Sequence, residues 1–162
     1  MTELENKADY IEKLNNFLFD AFEKGVDIAD VKINNDLAKN YKIGSIEEIK
    51  KTLSVSRREA SAILERLENL NEQGDGIRSS VGILGSLIVN KGSIYLIDEP
   101  ETFLHPPQAK LLGSNIVDLS KNKQCFISTH NIDIIKGIME KNSSRVKIIK
   151  IDREGNTNEF HM

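Results

Sequence analysis

Cysteine is nearly absent from the 162 residues: Cys125 stands alone, so no internal disulfide and no cysteine-based metal site can form. A reducing cytoplasm is the expected home. Long apolar runs are missing too, with no stretch near the ~20 residues that a membrane helix needs. The acidic start MTELENKADYIEKLNN has no apolar segment of the secretory kind. A soluble protein without membrane contact is the expectation. Nor is there an excess of basic charge: 22 Lys and Arg against 25 Asp and Glu leave a net charge of −3, unlike a dedicated nucleic-acid binder. What remains is ordinary globular material, and 39% hydrophobic residues are enough for a core and exclude disorder along the whole chain.

Periodicity divides the chain near residue 70. From Ala8 to Lys24 the residues Tyr10, Leu14, Phe17, Leu18 and Ala21 recur at helical spacing, and Gly25 is a stop. Val26 to Asn34 alternates only in part and reads equally as strand or loop. Ser45 with Glu48, and Ser56 with Glu59, are capping boxes. The first opens a helix to about Thr52. The second opens one with an inner stripe at Ala60, Ile63, Leu64, Leu67 and Leu70. Residues 1–70 thus read as a mostly helical region.

Residues 71–162 differ. Gly74-Asp75-Gly76 feeds a helix with its stripe at Ile77, Val81, Leu84 and Ile88, broken at Gly92-Ser93. Ile94–Ile97 and Gln124–Ser128 are short apolar runs of the buried-strand type. Between them Pro106-Pro107 suits a helix start, with Leu112, Ile116 and Leu119 inward. Asn131 caps a further helix to about Glu140. Two strands, Arg145–Asp152 and Thr157–His161, flank the turn Arg153-Glu154-Gly155-Asn156. Strand–helix–strand–helix predicts a parallel α/β sheet flanked by helices.

The chemistry concentrates at the ends of the two apolar strands. Asp98 and Glu99 follow Ile97 at a C-terminal strand end, where α/β sheets place their ligand crevices. Phosphoryl transfer needs a hard cation on the phosphates and a group to orient the attacking water. Asp98 suits the first role and Glu99 the second; the plain alternative is a solvated Asp-Glu-Pro turn. Phe126-Ile127-Ser128-Thr129-His130-Asn131 ends the other strand in two hydroxyls and a histidine. Gly74, Gly76, Arg78 and Ser79 offer backbone and side-chain donors at a helix N-terminus, a place suited to phosphate. Glycine turns before helices are common, so that pattern is weak by itself. Cys125, within the second strand, reads as a buried structural residue.

The run Ile94-Tyr95-Leu96-Ile97-Asp98-Glu99-Pro100, continued by Glu101-Thr102-Phe103-Leu104-His105-Pro106, resembles the Walker B motif and D-loop of ABC-type ATPases. The Leu104-His105-Pro106 ending resembles the branch of overcoming-lysogenisation-defect (OLD) nucleases and RecF-like ATPases. Transporters usually carry aspartate where His105 stands. Phe126–Asn131 is similar to the switch loop of these families, and Gly74–Ser80 to a divergent signature loop without the Ser-Gly-Gly core. The resemblance covers residues 71–155. It implies the C-terminal half of a P-loop NTPase sheet, with Asp98 on Mg²⁺, Glu99 on water and His130 on the γ-phosphate of ATP. Gly74, Gly76, Arg78 and Ser79 would close over a nucleotide held by a second copy in a head-to-tail dimer, with Leu104 and His105 in the D-loop.

The phosphate loop itself, Gly-x-x-x-x-Gly-Lys-Ser/Thr, does not occur; Gly82, Gly85 and Lys91 lack the spacing. The expectation is a fragment, a truncated product or one part of a split ATPase, inactive alone and completed by a P-loop-bearing partner. Residues 45–70 carry an alternative: Leu53–Ser56 as the turn of a helix-turn-helix, with Arg57 and Arg58 opening the DNA-reading helix. That alternative makes the chain a non-catalytic DNA- or protein-binding module.

Overall fold

The structure is a computed structural model that describes the backbone of residues 3–33, 36–89, 92–154 and 157–161, with side chains over 8–29, 40–89, 92–141 and 144–151. Helix α1 (Glu3–Phe22) buries Tyr10, Ile11, Leu14, Phe17 and Leu18 on one stripe. It ends at Glu23, which takes a left-handed φ of 53°. Strands β1 (Lys24–Ile33) and β2 (Asp36–Ser45) then pair antiparallel. Asn15 docks this hairpin on α1: its Nδ2 donates to the Val26 carbonyl at 3.0 Å and its Oδ1 accepts from the Val26 amide at 2.7 Å. Two backbone groups at the mouth of the hairpin are thereby satisfied out of reach of water.

Helices α2 (Ile46–Ser54) and α3 (Arg57–Leu64) both open on complete capping boxes, at Ser45 with Glu48 and at Ser56 with Glu59. The cap hydrogen bonds hold both glutamates below the usual carboxylate range. The second helix is shorter than its apolar stripe predicts. It stops at Leu64, and Glu68–Asn69 form a short strand, β3, on β2 before a 3-10 turn at Leu70–Glu72. Leu67 keeps its buried place by joining Ile49 and Leu64 in a satellite core under the two helices, so its periodicity marks burial rather than helix. The N-terminal seventy residues thus keep their helices, with a hairpin set between them.

Helix α4 (Asp75–Val89) leads to the parallel pair β4 (Ile94–Asp98) and β5 (Gln124–Ser128), joined through α5 (Pro106–Leu119). Helix α6 (Ile132–Asn142) follows β5, then a 3-10 turn at Ser143–Arg145 and the antiparallel hairpin β6 (Lys150–Glu154) and β7 (Thr157–His161). The turn expected at Arg153–Asn156 includes Gly155 and Asn156, which lie outside the described residues. Helices α5 and α6 approach closely at two glycines. A Cβ on Gly113 would press on the Ile134 carbonyl, and one on Gly137 would overlap the Lys110 carbonyl.

One main core joins α1, the hairpin, α4, α5 and α6 through Leu14, Phe17, Val26, Leu84, Leu112, Ile116 and Ile134. Each such side chain stabilises the fold by about 1.5–3 kcal/mol on burial. The β4–β5 sheet rests on this core through Tyr95, Ile97, Cys125 and Ile127. Its opposite face is bare: Ile94 is 63% exposed, Leu96 81% and Phe126 53%. The expectation of two buried strands therefore holds on one face only, because no second layer covers the other among the described residues.

Candidate active site

Strand β4 ends at Asp98, which pairs in register with Ser128 of β5. The Glu99 amide extends the ladder by one bond, donating to the Ser128 carbonyl at 2.9 Å. The chain then turns sharply, with Glu99 at φ 41° and Phe103 at φ 68°. Both are left-handed conformations that non-glycine residues adopt at a cost. The turn is closed by the Thr102 amide and hydroxyl on the Glu99 carbonyl, at 3.1 and 2.8 Å, and by the Leu104 amide on the Glu101 carbonyl at 2.9 Å. On β5, the Asn131 amide donates to Thr129 Oγ1 at 3.0 Å, and Asn131 Oδ1 caps α6 by accepting from the Asp133 amide at 2.8 Å.

These two strand ends bring Asp98, Glu99 and His130 to one edge of the sheet. His130 Nδ1 lies 3.2 Å from Glu99 Oε1 and 3.7 Å from Glu101 Oε1. The Glu99 and His130 side chains are 53% and 77% exposed, so a ligand at this edge reaches both. Glu101 is different. It is 5% exposed, accepts from the Thr129 hydroxyl at 2.6 Å on one oxygen, and has no hydrogen-bond partner for its buried Oε2. A buried orphan acceptor costs about 1–3 kcal/mol. Glu101 and Thr129 are the site residues that sequence reasoning passed over as motif filler. The available signal was a third carboxylate within four residues of Asp98.

Among the described residues no group of three or more His, Cys, Asp or Glu side chains is arranged to hold a metal alone. Mg²⁺ does not demand one, since it is commonly held by one or two carboxylates together with substrate phosphates and water. Asp98, with the unpartnered Glu101 Oε2 nearby in the chain, fits that sparse donor set.

The segment from Gly74 to Ser79 meets Phe103 and Leu104 rather than the carboxylates. Gly76 is buried against them: a Cβ there would stand 2.7 Å from the Phe103 carbonyl oxygen and 3.1 Å from Leu104. Gly74 has open space around it. Ser79 is half-buried. Arg78 is turned back, paired with Asp75 and donating to the Asn71 carbonyl at 3.4 Å. His105 caps α5, its amide donating to Gln108 Oε1 at 3.0 Å, and Gln108 Nε2 donates in turn to the Ala21 carbonyl at the end of α1. The segment from Phe103 to Gln108 is thus held at both ends, against Gly76 of α4 and against α1.

The family model described as "AAA domain, putative AbiEii toxin, Type IV TA system" matches residues 4–136. The chain belongs to this family. A search of the curated proteins finds no match. Among solved structures, the AAA domain resembles an SMC ATPase studied for ATP-driven dimerisation and DNA-stimulated activation, at 9% identity and TM-score 0.63, covering 98% of this chain and 85% of that one. It also resembles the Pyrococcus furiosus Smc head domain with an extended coiled coil bound to the C-terminal domain of ScpA, at 11% identity and TM-score 0.64, covering 95% and 34%. A third is an Smc head bound to the C-terminal winged-helix domain of ScpA, at 12% identity and TM-score 0.63, covering 98% and 43%. The AAA domain thus has the α/β P-loop NTPase fold of the SMC-head kind, and spans less than half the length of the last two chains. No described helix is long and apolar enough to cross a membrane.

Proposed function

We propose that this AAA domain is the Walker B and switch half of an ATP-hydrolysing site in the OLD and RecF-like branch of ABC-type ATPases. Its phosphate loop comes from outside these 162 residues. The observation that carries the reading is the Glu99–His130 contact of 3.2 Å at the C-terminal edge of the parallel pair, one residue beyond Asp98. Asp98 would hold Mg²⁺, which when bound supplies charge neutralisation on the β- and γ-phosphates. Glu99 orients the attacking water and takes its proton. His130 donates to the γ-phosphate, and in leaving Glu99 it frees that carboxylate for the water. Glu101 holds Thr129 and hence the backbone that carries His130. Gly74, Gly76, Arg78 and Ser79 close over the nucleotide of a second copy, so the working form is a head-to-tail dimer in the cytoplasm.

The test is turnover with and without the missing half. Mixed with a P-loop-bearing segment, the chain should release phosphate from ATP in a Mg²⁺-dependent way, whereas alone it should not. Turnover by the chain alone that vanishes in Glu99→Gln would overturn the claim that the site is incomplete. A second reading, DNA binding through 45–70, rests on exposed Arg57 and Arg58 at the start of α3. It predicts salt-dependent DNA binding, weakened by Arg57→Ala and Arg58→Ala and indifferent to nucleotide.

A further inference from the structure

Glu101 is buried almost completely, while Glu99, two residues earlier, keeps half of its side chain in solvent. One Glu101 oxygen takes the Thr129 hydroxyl at 2.6 Å, and the other has no hydrogen-bond partner. A buried carboxylate held by one hydrogen bond is costly to keep, since it has lost water without gaining a full set of donors. The basic side chain that approaches it is His130, whose Nδ1 lies 3.7 Å from the same oxygen that Thr129 bonds. That distance is just beyond a hydrogen bond. A carboxylate oxygen has lone pairs for two donors, so the Thr129 bond leaves room for the ring.

The same ring nitrogen stands 3.2 Å from Glu99 Oε1. His130 Nδ1 thus faces two acceptors, one exposed and one fixed. A carboxylate on Nδ1 places the ring proton there and leaves Nε2 for a ligand, because the partner of one nitrogen sets the state of the other. Glu99 sits on a left-handed turn at the open edge, and an attacking water would need the same carboxylate. A ring oriented by Glu99 alone would lose its bearing whenever that carboxylate turned to water. Glu101 cannot turn away. It is enclosed, and Thr129, which also accepts from the Asn131 amide at 3.0 Å, holds it from the end of β5. A small tilt of the ring suffices to carry Nδ1 from one carboxylate to the other.

We propose that Glu101 is a positioning residue that acts on the imidazole itself, beyond its hold on Thr129. It is the fixed second acceptor for His130 Nδ1, and it keeps Nε2 aimed at a ligand when Glu99 is given up to water. Its part in turnover rests on the ATPase reading of this edge, whereas its pairing with the ring rests on the two contacts alone.

Long-range proton–nitrogen NMR of the imidazole rings in the intact chain tests the pairing. It reads which nitrogen carries the proton when the rings are neutral, with His130→Ala assigning the signal. His130 should be in the Nδ1–H form. Glu99→Ala removes the exposed acceptor and should leave that form in place. Adding Glu101→Met, apolar and of similar length, should lower the ratio of Nδ1–H to Nε2–H about tenfold or more, the equivalent of one hydrogen bond to a charged group. A parent ring in the Nε2–H form, or a shift to it in Glu99→Ala alone, would overturn the pairing, and neither result depends on how Glu101→Met folds. An unchanged ratio in the double variant would overturn it as well. In the chain mixed with a P-loop-bearing segment, Glu101→Met should lower kcat about 10–100-fold with KM within about threefold. It should add nothing in a His130→Ala background; additive losses would make Glu101 a merely structural residue. The expected tautomers without turnover in the mixture keep the pairing and remove the ATPase reading. Turnover with a ring indifferent to Glu101 keeps the reading and removes the pairing.

Discussion

The β1–β2 hairpin and the β4–β5 pair are both small sheets laid on helices, yet one is finished and the other open. On the hairpin, Val26, Ile28 and Ile43 enter the main core. The alternate residues meet α2 and α3: Gly25 against Ile49, Asp27 accepting from the Thr52 hydroxyl at 2.9 Å, and Ala29 in the satellite core. Both of its faces are occupied. Among the described residues the β4–β5 pair has helices on one face, bare isoleucine, leucine and phenylalanine on the other, and no further strand on either edge. The contrast separates scaffold from site. At the open pair's C-terminal edge three carboxylates and a histidine gather: Asp98, Glu99, Glu101 and His130.

The largest expected effect sharpens that contrast at the open end. In the chain completed by a P-loop segment, Glu99→Gln should keep ATP binding and lose ~10²–10⁴ in turnover, the scale of a positioned acid–base group. Steady-state turnover beside equilibrium nucleotide binding checks it, and a rate equal to the parent's would remove Glu99 from the mechanism.

Next comes the closed side of the open sheet. Leu112 is fully buried, so Leu112→Ala should cost about 2–5 kcal/mol in urea unfolding. A loss under 1 kcal/mol would show that the core beneath β4–β5 is as unfinished as the face above it. Smaller again, Ser45→Ala removes the cap of α2 and should cost about 1 kcal/mol. Its acid sensitivity has a definite sign. The carboxyl of Glu48 titrates below its ordinary value because it accepts from Ser45, so its stabilising contribution is present above the ordinary glutamate range and fades as pH falls through the lowered value. The acid side of the unfolding profile should therefore flatten in Ser45→Ala, as circular dichroism against pH will report. The smallest effect is expected on the bare face: Leu96→Ala should change stability by no more than about 0.5 kcal/mol. A clear loss would mean that Leu96 is covered in solution.

The parallel pair, both capping boxes, the start of α5 and the joining of Asp98, Glu99 and His130 were legible in the sequence, because they follow from short apolar runs in strand–helix–strand order, cap spacing and Pro at a helix start. The hairpin was half legible. Val26 and Ile28 alternate, but Asp27 on the opposite face belongs to the contact with α2 through Thr52, which no local pattern announces. Leu67 misled through periodicity, since a short strand and turn bury it as well as a helix would. Glu101 was unreadable as a buried group because its burial depends on Thr129, twenty-eight residues away and brought close only by the parallel register. The ties of Gly76 to Phe103 and of Gln108 to Ala21 are likewise products of packing.

The left-handed backbone at Glu99 sets stability against activity. Glycine adopts that conformation freely, so Glu99→Gly should relieve strain worth about 1 kcal/mol after its own entropic penalty. The variant is expected to melt higher than the parent and, in a completed site, to hydrolyse nothing. A carboxylate kept on a peptide that would rest more easily with glycine marks a position where selection for stability alone would have chosen otherwise.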